Sequence, residues 1–124
     1  VVIALENYAR TPGGTLAEIQ TCLARIPALM TNLDMGNYTG HGQDVPAAVG
    51  ALADRIVYSH LKDQTGNPGD PPTVLGGGVL PLADIFAALD ALPQEILYCF
   101  EFRGGDDAVG RIEQALAWMD ARKG

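Results

Sequence analysis

Residues 56–63 read IVYSHLKD, an apolar run that ends in the polar residues His60, Lys62 and Asp63. Three other segments follow the same plan and are also predicted strands: residues 1–7, 28–37 and 95–102. Each is continuously apolar until its polar end, which is typical of parallel strands that are covered on both faces. These four segments decide the fold.

An amphipathic helix is predicted after each strand. Residues 15–18, TLAE, form a capping box, Asp44 caps a second helix with Pro46 in its first turn, and Asp106 or Asp107 caps the fourth. The predicted inward faces are Leu16, Ile19, Leu23 and Ile26, then Val49 and Leu52, then Leu82, Ile85, Phe86 and Leu89 before Pro93, and finally Val109, Ile112, Leu116 and Met119.

Strands that alternate with helices through short connections predict a parallel β/α fold. An open doubly wound sheet and part of a (β/α)8 barrel both fit this pattern. A whole barrel needs at least about 200 residues, so residues 1–124 are expected to form a single domain that supplies half of one. No GxGxxG or GxxxxGK[ST] loop follows the first strand, which disfavours a nucleotide-binding sheet.

The composition is that of a globular, acidic chain. Hydrophobic residues make up 48 %, charged residues 19 %, and the formal net charge is −7 without a Lys/Arg cluster. Duplex DNA and anionic membranes are therefore disfavoured partners, whereas small or cationic partners suit the charge. Cys22 and Cys99 are expected to be free thiols, since two cysteines do not make a disulfide framework.

The ends of the sequence lead to two further expectations. No apolar run approaches the roughly 18 residues of a membrane span and no signal peptide is recognisable, so the expected location is the cytoplasm. The chain opens on Val1 inside an apolar run without an initiator Met, which suggests a fragment or half of a longer chain.

The polar residues of the four strands share one face of the predicted sheet. Alternation along each strand places Glu6, Asp34, His60 and Glu101 on that face, near the carboxyl ends where β/α barrels carry their functional groups. The opposite, apolar face should carry Val1, Ile3, Leu5, Val57, Leu61, Phe100 and Phe102.

A single carboxylate at a strand end is usually a solvated loop residue or a helix cap, and a single strand histidine is usually a core residue. Four such groups on consecutive strand ends instead predict a metal site. The donor set favours Mn²⁺, Mg²⁺ or Co²⁺, with Zn²⁺ possible. Lys62 either offsets the remaining negative charge or is an ordinary surface lysine.

At the level of motifs the chain resembles the sugar phosphate isomerase/epimerase family, within the xylose isomerase-like TIM barrel superfamily. The resemblance rests on ALEN (4–7), NLDMGN (32–37), SHLKD (59–63), LGGG (75–78) and FEFRGGDDA (100–108). It covers nearly the whole chain and implies strands five to eight of the barrel. It also implies that Glu6, Asp34, His60 and Glu101 bind one divalent cation, most often Mn²⁺, and that the two glutamates are the catalytic acid/base pair.

The sequence departs from the family pattern at two positions. Asn37 occupies a place where several relatives have a histidine, and Gly77 lies where a loop often reads LGEG. Asn37 can hydrogen-bond a hydroxyl but cannot act as a base. Because of these two departures, the sequence does not identify the substrate.

The resemblance implies an enzyme of carbohydrate metabolism that transfers a proton within a small polyhydroxy carbonyl substrate through a cis-enediolate. The candidate substrate-binding residues are Asn7, Asn37, Lys62 and Arg103. The alternatives are a dehydratase of the inosose dehydratase type, an apurinic-site endonuclease, which the acidic charge disfavours, and an inert fragment or subunit. Because a half barrel leaves two strand edges unpaired, we expect an N-terminal half barrel or a second copy as partner.

Overall fold

The structure is a computed structural model that describes residues 1–123. Within these residues the strands are β1 (Ile3–Glu6), β2 (Leu29–Asp34), β3 (Ile56–Leu61) and β4 (Leu97–Phe100). The helices are α1 (Leu16–Arg25), α2 (Met35–Gly40), α3 (Val45–Leu52), α4 (Leu82–Asp90) and α5 (Ala108–Ala121), with a 3₁₀ turn at Ala53–Arg55.

The four strands form one parallel sheet in the order β1-β2-β3-β4. This confirms the predicted parallel α/β architecture and the sequential strand order, which an open doubly wound sheet would not have. The strands β1 and β4 are therefore the two edges. Among residues 1–123 no helix is long and apolar enough to cross a membrane, and Cys22 and Cys99 are free.

Local hydrogen bonds start the helices where the sequence predicts. The Thr15 hydroxyl accepts the N–H of Glu18 and the Glu18 carboxylate accepts the N–H of Thr15, which is a complete capping box. Asp44 caps α3, and Asp107 rather than Asp106 caps α5. These caps satisfy N–H groups that have no partner inside their own helices.

The second strand is shorter than predicted. It ends at Asp34 instead of residue 37, because the Asp34 carboxylate accepts the N–H of Asn37 and caps the short helix α2. Residues 35–37 thus turn away from the sheet just beyond the metal-ligand candidate. The other strands begin and end within a few residues of the predicted bounds.

The core lies between the sheet and the helices that cover it. It contains Leu33, Ile56 and Leu61 from the sheet, together with Ile19, Leu23, Val49, Leu52, Leu82, Ile85, Phe86 and Leu89 from the helices. The predicted inward faces of α3 and α4 are confirmed. Ile26 differs, since it lies beyond the end of α1 and is 52 % exposed.

The predicted inward face of α5 is largely wrong. Val109, Ile112 and Leu116 are exposed, whereas Ala115 is buried and Trp118 packs on the core. The Trp118 ring lies 5.4 Å from the ring of Phe86, and this contact rotates the helix away from the predicted stripe. Met119 is the predicted residue that does pack inward.

The predicted position of Val57 is wrong because the pairing of β2 with β3 contains a register shift. Thr31 pairs with Ile56 and Asn32 pairs with Tyr58, so Val57 is an extra residue in the ladder. Val57 therefore joins Tyr58 on the concave face instead of facing the helices. Because the shift lies before His60, the predicted face of that histidine is unaffected.

Candidate metal centre

Four ligand candidates converge at the carboxyl ends of the strands. Glu6 ends β1, Asp34 ends β2, His60 is the penultimate residue of β3, and Glu101 directly follows β4. Each offers a ligand atom, and these four atoms lie within 4.8 Å of one another. The sheet register produces this convergence, since Asp34 pairs with His60 and the Glu101 N–H bonds to the Leu61 carbonyl.

The ring nitrogen Nδ1 of His60 is central to the cluster. It lies 3.1 Å from Oε1 of Glu6, 3.4 Å from Oε2 of Glu101 and 3.5 Å from Oδ2 of Asp34. The side chains of Asp34 and His60 are 0 % and 16 % exposed, whereas those of Glu6 and Glu101 are 30 % and 47 % exposed. The cluster therefore has a buried floor and an open rim formed by the two glutamates.

Lys62 is a buried part of this cluster and not a surface lysine. Its Nζ lies 2.7 Å from Oδ2 of Asp34 and 2.6 Å from Oε2 of Glu101. Its aliphatic chain passes close to Gly36, where a Cβ would lie 2.8 Å from Cδ of Lys62. A residue larger than glycine at position 36 would displace the ammonium from the two carboxylates.

Burial and pairing shift the pKa values in this cluster in different directions. Burial raises the pKa of Asp34 to about 6, and the Lys62 ammonium opposes this effect without cancelling it. Burial works to lower the pKa of Lys62, but the two carboxylates outweigh it and raise that pKa. At Glu101 burial is the largest single effect and works to raise the pKa, but the hydrogen bonds with Lys62 and Asp34 and the nearby positive charges together lower it. Lys62 therefore keeps its charge.

The donor set fits a divalent cation. Three carboxylates and one imidazole match the oxygen and nitrogen ligands that Mn²⁺, Mg²⁺ or Co²⁺ prefer. Oδ2 of Asp34 is buried and makes no well-aligned hydrogen bond within residues 1–123, although Lys62 lies beside it. A buried oxygen without a directed partner is costly, and a cation would satisfy it.

Asn7, a predicted substrate-binding residue, holds Asp34 in place. It is 1 % exposed, its Nδ2 donates to the Asp34 carbonyl at 2.9 Å, and its Oδ1 accepts the Asp34 N–H at 2.7 Å. Asn37 adds to this clamp by donating to the Asn7 carbonyl. The paired asparagines thereby fix the backbone of a ligand candidate.

The other predicted substrate-binding residues meet at the mouth of the site. A cavity of about 390 Å³ is lined by Tyr8, Asn37, Lys62, Pro72, Glu101, Phe102 and Arg103. The structure thus brings Asn37, Lys62 and Arg103 together beside one of the two glutamates. Arg103 is exposed at the rim.

Sequence reasoning missed the contribution of Asn32 and Tyr58. The Nδ2 of Asn32 lies 3.3 Å from Nε2 of His60, and the Tyr58 ring packs edge-on against the imidazole with centroids 5.6 Å apart. Asn32 is a polar residue in an otherwise apolar strand and shares the face of Asp34. That combination was the available signal.

Asp63 was also missed as a determinant of the loop above the site. Its carboxylate accepts the N–H groups of Gly76, Gly78 and Leu80, so it fixes the LGGG turn. A Cβ at Gly78 would lie 2.5 Å from Oδ1 of Asp63. The LGGG turn therefore requires glycine at position 78.

Comparison with known proteins identifies the family. The family described as "Xylose isomerase-like TIM barrel" matches residues 1–122. The chain therefore belongs to the xylose isomerase-like TIM barrel family, and its resemblance to sugar phosphate isomerases and epimerases is confirmed.

One curated relative is SgbU of Escherichia coli (strain K12), provisionally named an L-ribulose-5-phosphate 3-epimerase. It is 32 % identical over 96 residues, which is 72 % of this chain and 34 % of SgbU. The chain thus spans about a third of the length of this relative.

Two solved structures share the fold. The 3-keto-D-glucoside 4-epimerase YcjR from E. coli superposes with a TM-score of 0.76 at 18 % identity, over 95 % of this chain and 44 % of YcjR. A D-allulose 3-epimerase from Methylomonas sp. superposes with a TM-score of 0.70 at 22 % identity, over 94 % of this chain and 40 % of that enzyme.

Proposed function

We propose that this chain is the C-terminal half of a barrel, strands five to eight, and carries the centre of a divalent-metal-dependent sugar or sugar phosphate isomerase or epimerase. The observation that carries the proposal is the convergence of four ligand atoms within 4.8 Å at the strand ends. The three relatives named above are sugar epimerases by name, which supports the reaction class.

Glu6, Asp34, His60 and Glu101 would hold one divalent cation, with Mn²⁺ the first candidate. When bound, such a cation acts as a Lewis acid and template for neighbouring substrate oxygens. Asn7 and Asn37 keep the Asp34 carboxylate aimed at that position.

The two glutamates are the proposed proton-transfer pair. They come from the two opposite edge strands and form the open rim of the cluster, so a substrate between them would present its opposite faces to the two carboxylates. One glutamate removes the proton next to the carbonyl and the other returns a proton on the far side. Lys62 stabilises the negative oxygen of the resulting cis-enediolate.

The mouth cavity suits a small polyhydroxy carbonyl compound. Asn37 offers an amide for hydroxyl groups, and Arg103 places a guanidinium at the exposed rim. The same enediolate serves isomerisation, epimerisation and dehydration, so the proposal covers this group of reactions and favours epimerisation because of the relatives' names.

The whole activity requires a partner in this proposal. Exposed apolar residues lie along both sheet edges, with Ile3 66 % and Leu97 60 % exposed. An N-terminal half barrel would pair both edges and cover the concave face. A second copy of the chain is the alternative partner, but it would bring two acidic clusters to one barrel mouth.

The test of the proposal uses the glutamates and one matched control. The chain, reconstituted with an N-terminal half from a relative such as SgbU, is incubated with a ketose 5-phosphate and Mn²⁺ in D₂O. We expect deuterium at the carbon next to the carbonyl, and at least a 100-fold loss with Glu6→Gln or Glu101→Gln.

Glu113→Gln makes the same chemical change on the exposed surface of α5 and should leave the exchange unchanged. Deuterium incorporation that survives both rim substitutions would contradict the proposed proton-transfer pair.

A further inference from the structure

Asn32 is a buried polar residue whose amide is only half satisfied. It lies on β2 and is 9 % exposed. Its Nδ2 is 3.3 Å from Nε2 of His60, whereas its Oδ1 is buried and has no hydrogen-bond partner within residues 1–123. A buried amide oxygen without a donor requires an explanation.

The orientation of the His60 ring explains the unpartnered Oδ1 of Asn32. Nδ1 points at the carboxylates of Glu6, Asp34 and Glu101, so it is the ring nitrogen that a cation in the cluster would meet. An imidazole that ligates through Nδ1 carries its proton on Nε2, and that N–H needs an acceptor. The only polar side-chain atoms placed at Nε2 in the described residues are those of Asn32.

The two polar atoms of an asparagine amide occupy nearly the same space, and a half-turn of the amide exchanges them. After that half-turn Oδ1 accepts the Nε2–H of His60, and the unpartnered oxygen gains its donor. Tyr58 packs against the ring edge-on and supports its orientation, but a ring contact does not select a tautomer.

We propose that Asn32 is a positioning residue that accepts the Nε2–H of His60 and thereby keeps the Nδ1 lone pair directed at the carboxylate cluster. The inference deepens the proposed metal centre and rests on it for its purpose, although the tautomer itself is a property of the chain without metal. In the opposite arrangement Asn32 donates to Nε2, Nδ1 carries the proton, and the cluster is a hydrogen-bonded ion network.

Two substitutions of nearly equal size separate these arrangements. Asn32→Asp keeps an acceptor and removes the donor, whereas Asn32→Leu removes both. If Asn32 accepts the Nε2–H of His60, Asn32→Asp keeps the His60 tautomer and the Mn²⁺ affinity that Asn32→Leu loses. If Asn32 donates, both substitutions are equally damaging, and a role in packing alone would not distinguish the carboxylate from the leucine side chain.

The experiment reads the tautomer directly by NMR of ¹⁵N-labelled histidine. The chain has two histidines, so a His41→Gln background leaves His60 as a single signal. In the metal-free chain at alkaline pH, we expect the Nε2–H tautomer with Asn32 and with Asn32→Asp, and a mixture with Asn32→Leu. The proposal is overturned if His60 carries the proton on Nδ1, or if Asn32→Leu leaves the tautomer unchanged.

Calorimetric Mn²⁺ affinity gives the second readout. Asn32→Leu should weaken binding about 10- to 100-fold, the usual effect of losing a residue that orients a ligating histidine. Asn32→Asp should retain most of the affinity, and an equal loss in both would count against the proposal. If no form of the chain binds Mn²⁺, the proposed metal function fails, while the tautomer still decides the role of Asn32. Asn32→Ala replaces Asn32→Leu if the latter does not fold.

Discussion

The inner strands β2 and β3 and the edge strands β1 and β4 share one sequence pattern but differ in burial. Leu33 and Ile56 of the inner strands are fully buried, whereas Ile3 and Leu97 of the edge strands are mostly exposed. All four strands read as continuous apolar runs, which parallel sheets use when both faces are covered. The edge strands therefore carry a sequence suited to more neighbours than this chain provides.

The same difference organises the candidate metal centre. The inner strands contribute Asp34, which is buried and held by Asn7, and His60, whose side chain is 16 % exposed and lies beside Asn32. The edge strands contribute Glu6 and Glu101, which are partly exposed. We infer that the inner strands fix the cation position, whereas the edge strands supply the groups that meet the substrate.

The largest expected effect is the contrast between an inner and an edge leucine. Leu33→Ala should lower the free energy of unfolding by about 4 kcal/mol, because a fully buried leucine leaves a cavity. Leu97→Ala should cost less than about 1 kcal/mol in the chain alone, since that side chain is already 60 % exposed. Urea unfolding measures both, and equal costs would remove the distinction between the strands.

Lys62 connects Asp34 of an inner strand with Glu101 beside an edge strand, so its removal should have the second largest effect. Lys62→Met should destabilise the chain by about 3 kcal/mol, because the buried Asp34 carboxylate loses its paired charge. Mn²⁺ should reduce this cost by restoring a positive charge. Thermal unfolding with and without Mn²⁺ measures it, and a cost that is the same in both conditions would argue against a cation at this position.

The buried Asp34 should also give a specific pH dependence. Burial raises its pKa to about 6 in the folded chain, above the value of about 4 expected after unfolding, so the folded state holds the proton more tightly. Stability from this group is present below about pH 4 and is lost as the pH rises to about 6, by up to about 3 kcal/mol.

The matched variant for this pH dependence is Asp34→Asn, which cannot titrate. The difference in unfolding free energy between the unsubstituted chain and Asp34→Asn should therefore fall between pH 4 and pH 6.5. A constant or rising difference over that interval would show that Asp34 is not protonated in the folded state.

The smallest expected effect concerns the exposed apolar stripe of α5. Ile112→Ser should change the unfolding free energy of the chain by only about 0.5 kcal/mol, because the side chain is already 43 % exposed. It should nevertheless weaken association with a half barrel that covers this stripe. Sedimentation of the mixture checks the association, with Glu113→Gln as the control.

Local interactions made much of this fold predictable from the sequence. The caps at Thr15 and Asp44 depend on residues three positions apart, and the parallel strands follow from their continuous apolar runs. The four ligand candidates were found because strand alternation places them on one face. Each of these inferences depends on regular backbone geometry.

Other features depend on contacts that the sequence pattern does not show. The helix α5 has apolar residues on two sides, and the packing of Trp118 on Phe86 decides which side is buried. The extra residue at Val57 depends on the register with β2. The short β2 results from a cap that Asp34 forms in addition to its place among the four ligand candidates.

Anomalous diffraction from a crystal grown with Mn²⁺ tests most directly whether the four ligand candidates at the strand ends hold one cation. We predict a single strong peak within about 2–2.6 Å of Glu6, Asp34, His60 and Glu101, with Lys62 withdrawn from at least one carboxylate. A peak bound elsewhere, or the Lys62 ammonium still between Asp34 and Glu101 with no peak at saturating Mn²⁺, would contradict this prediction.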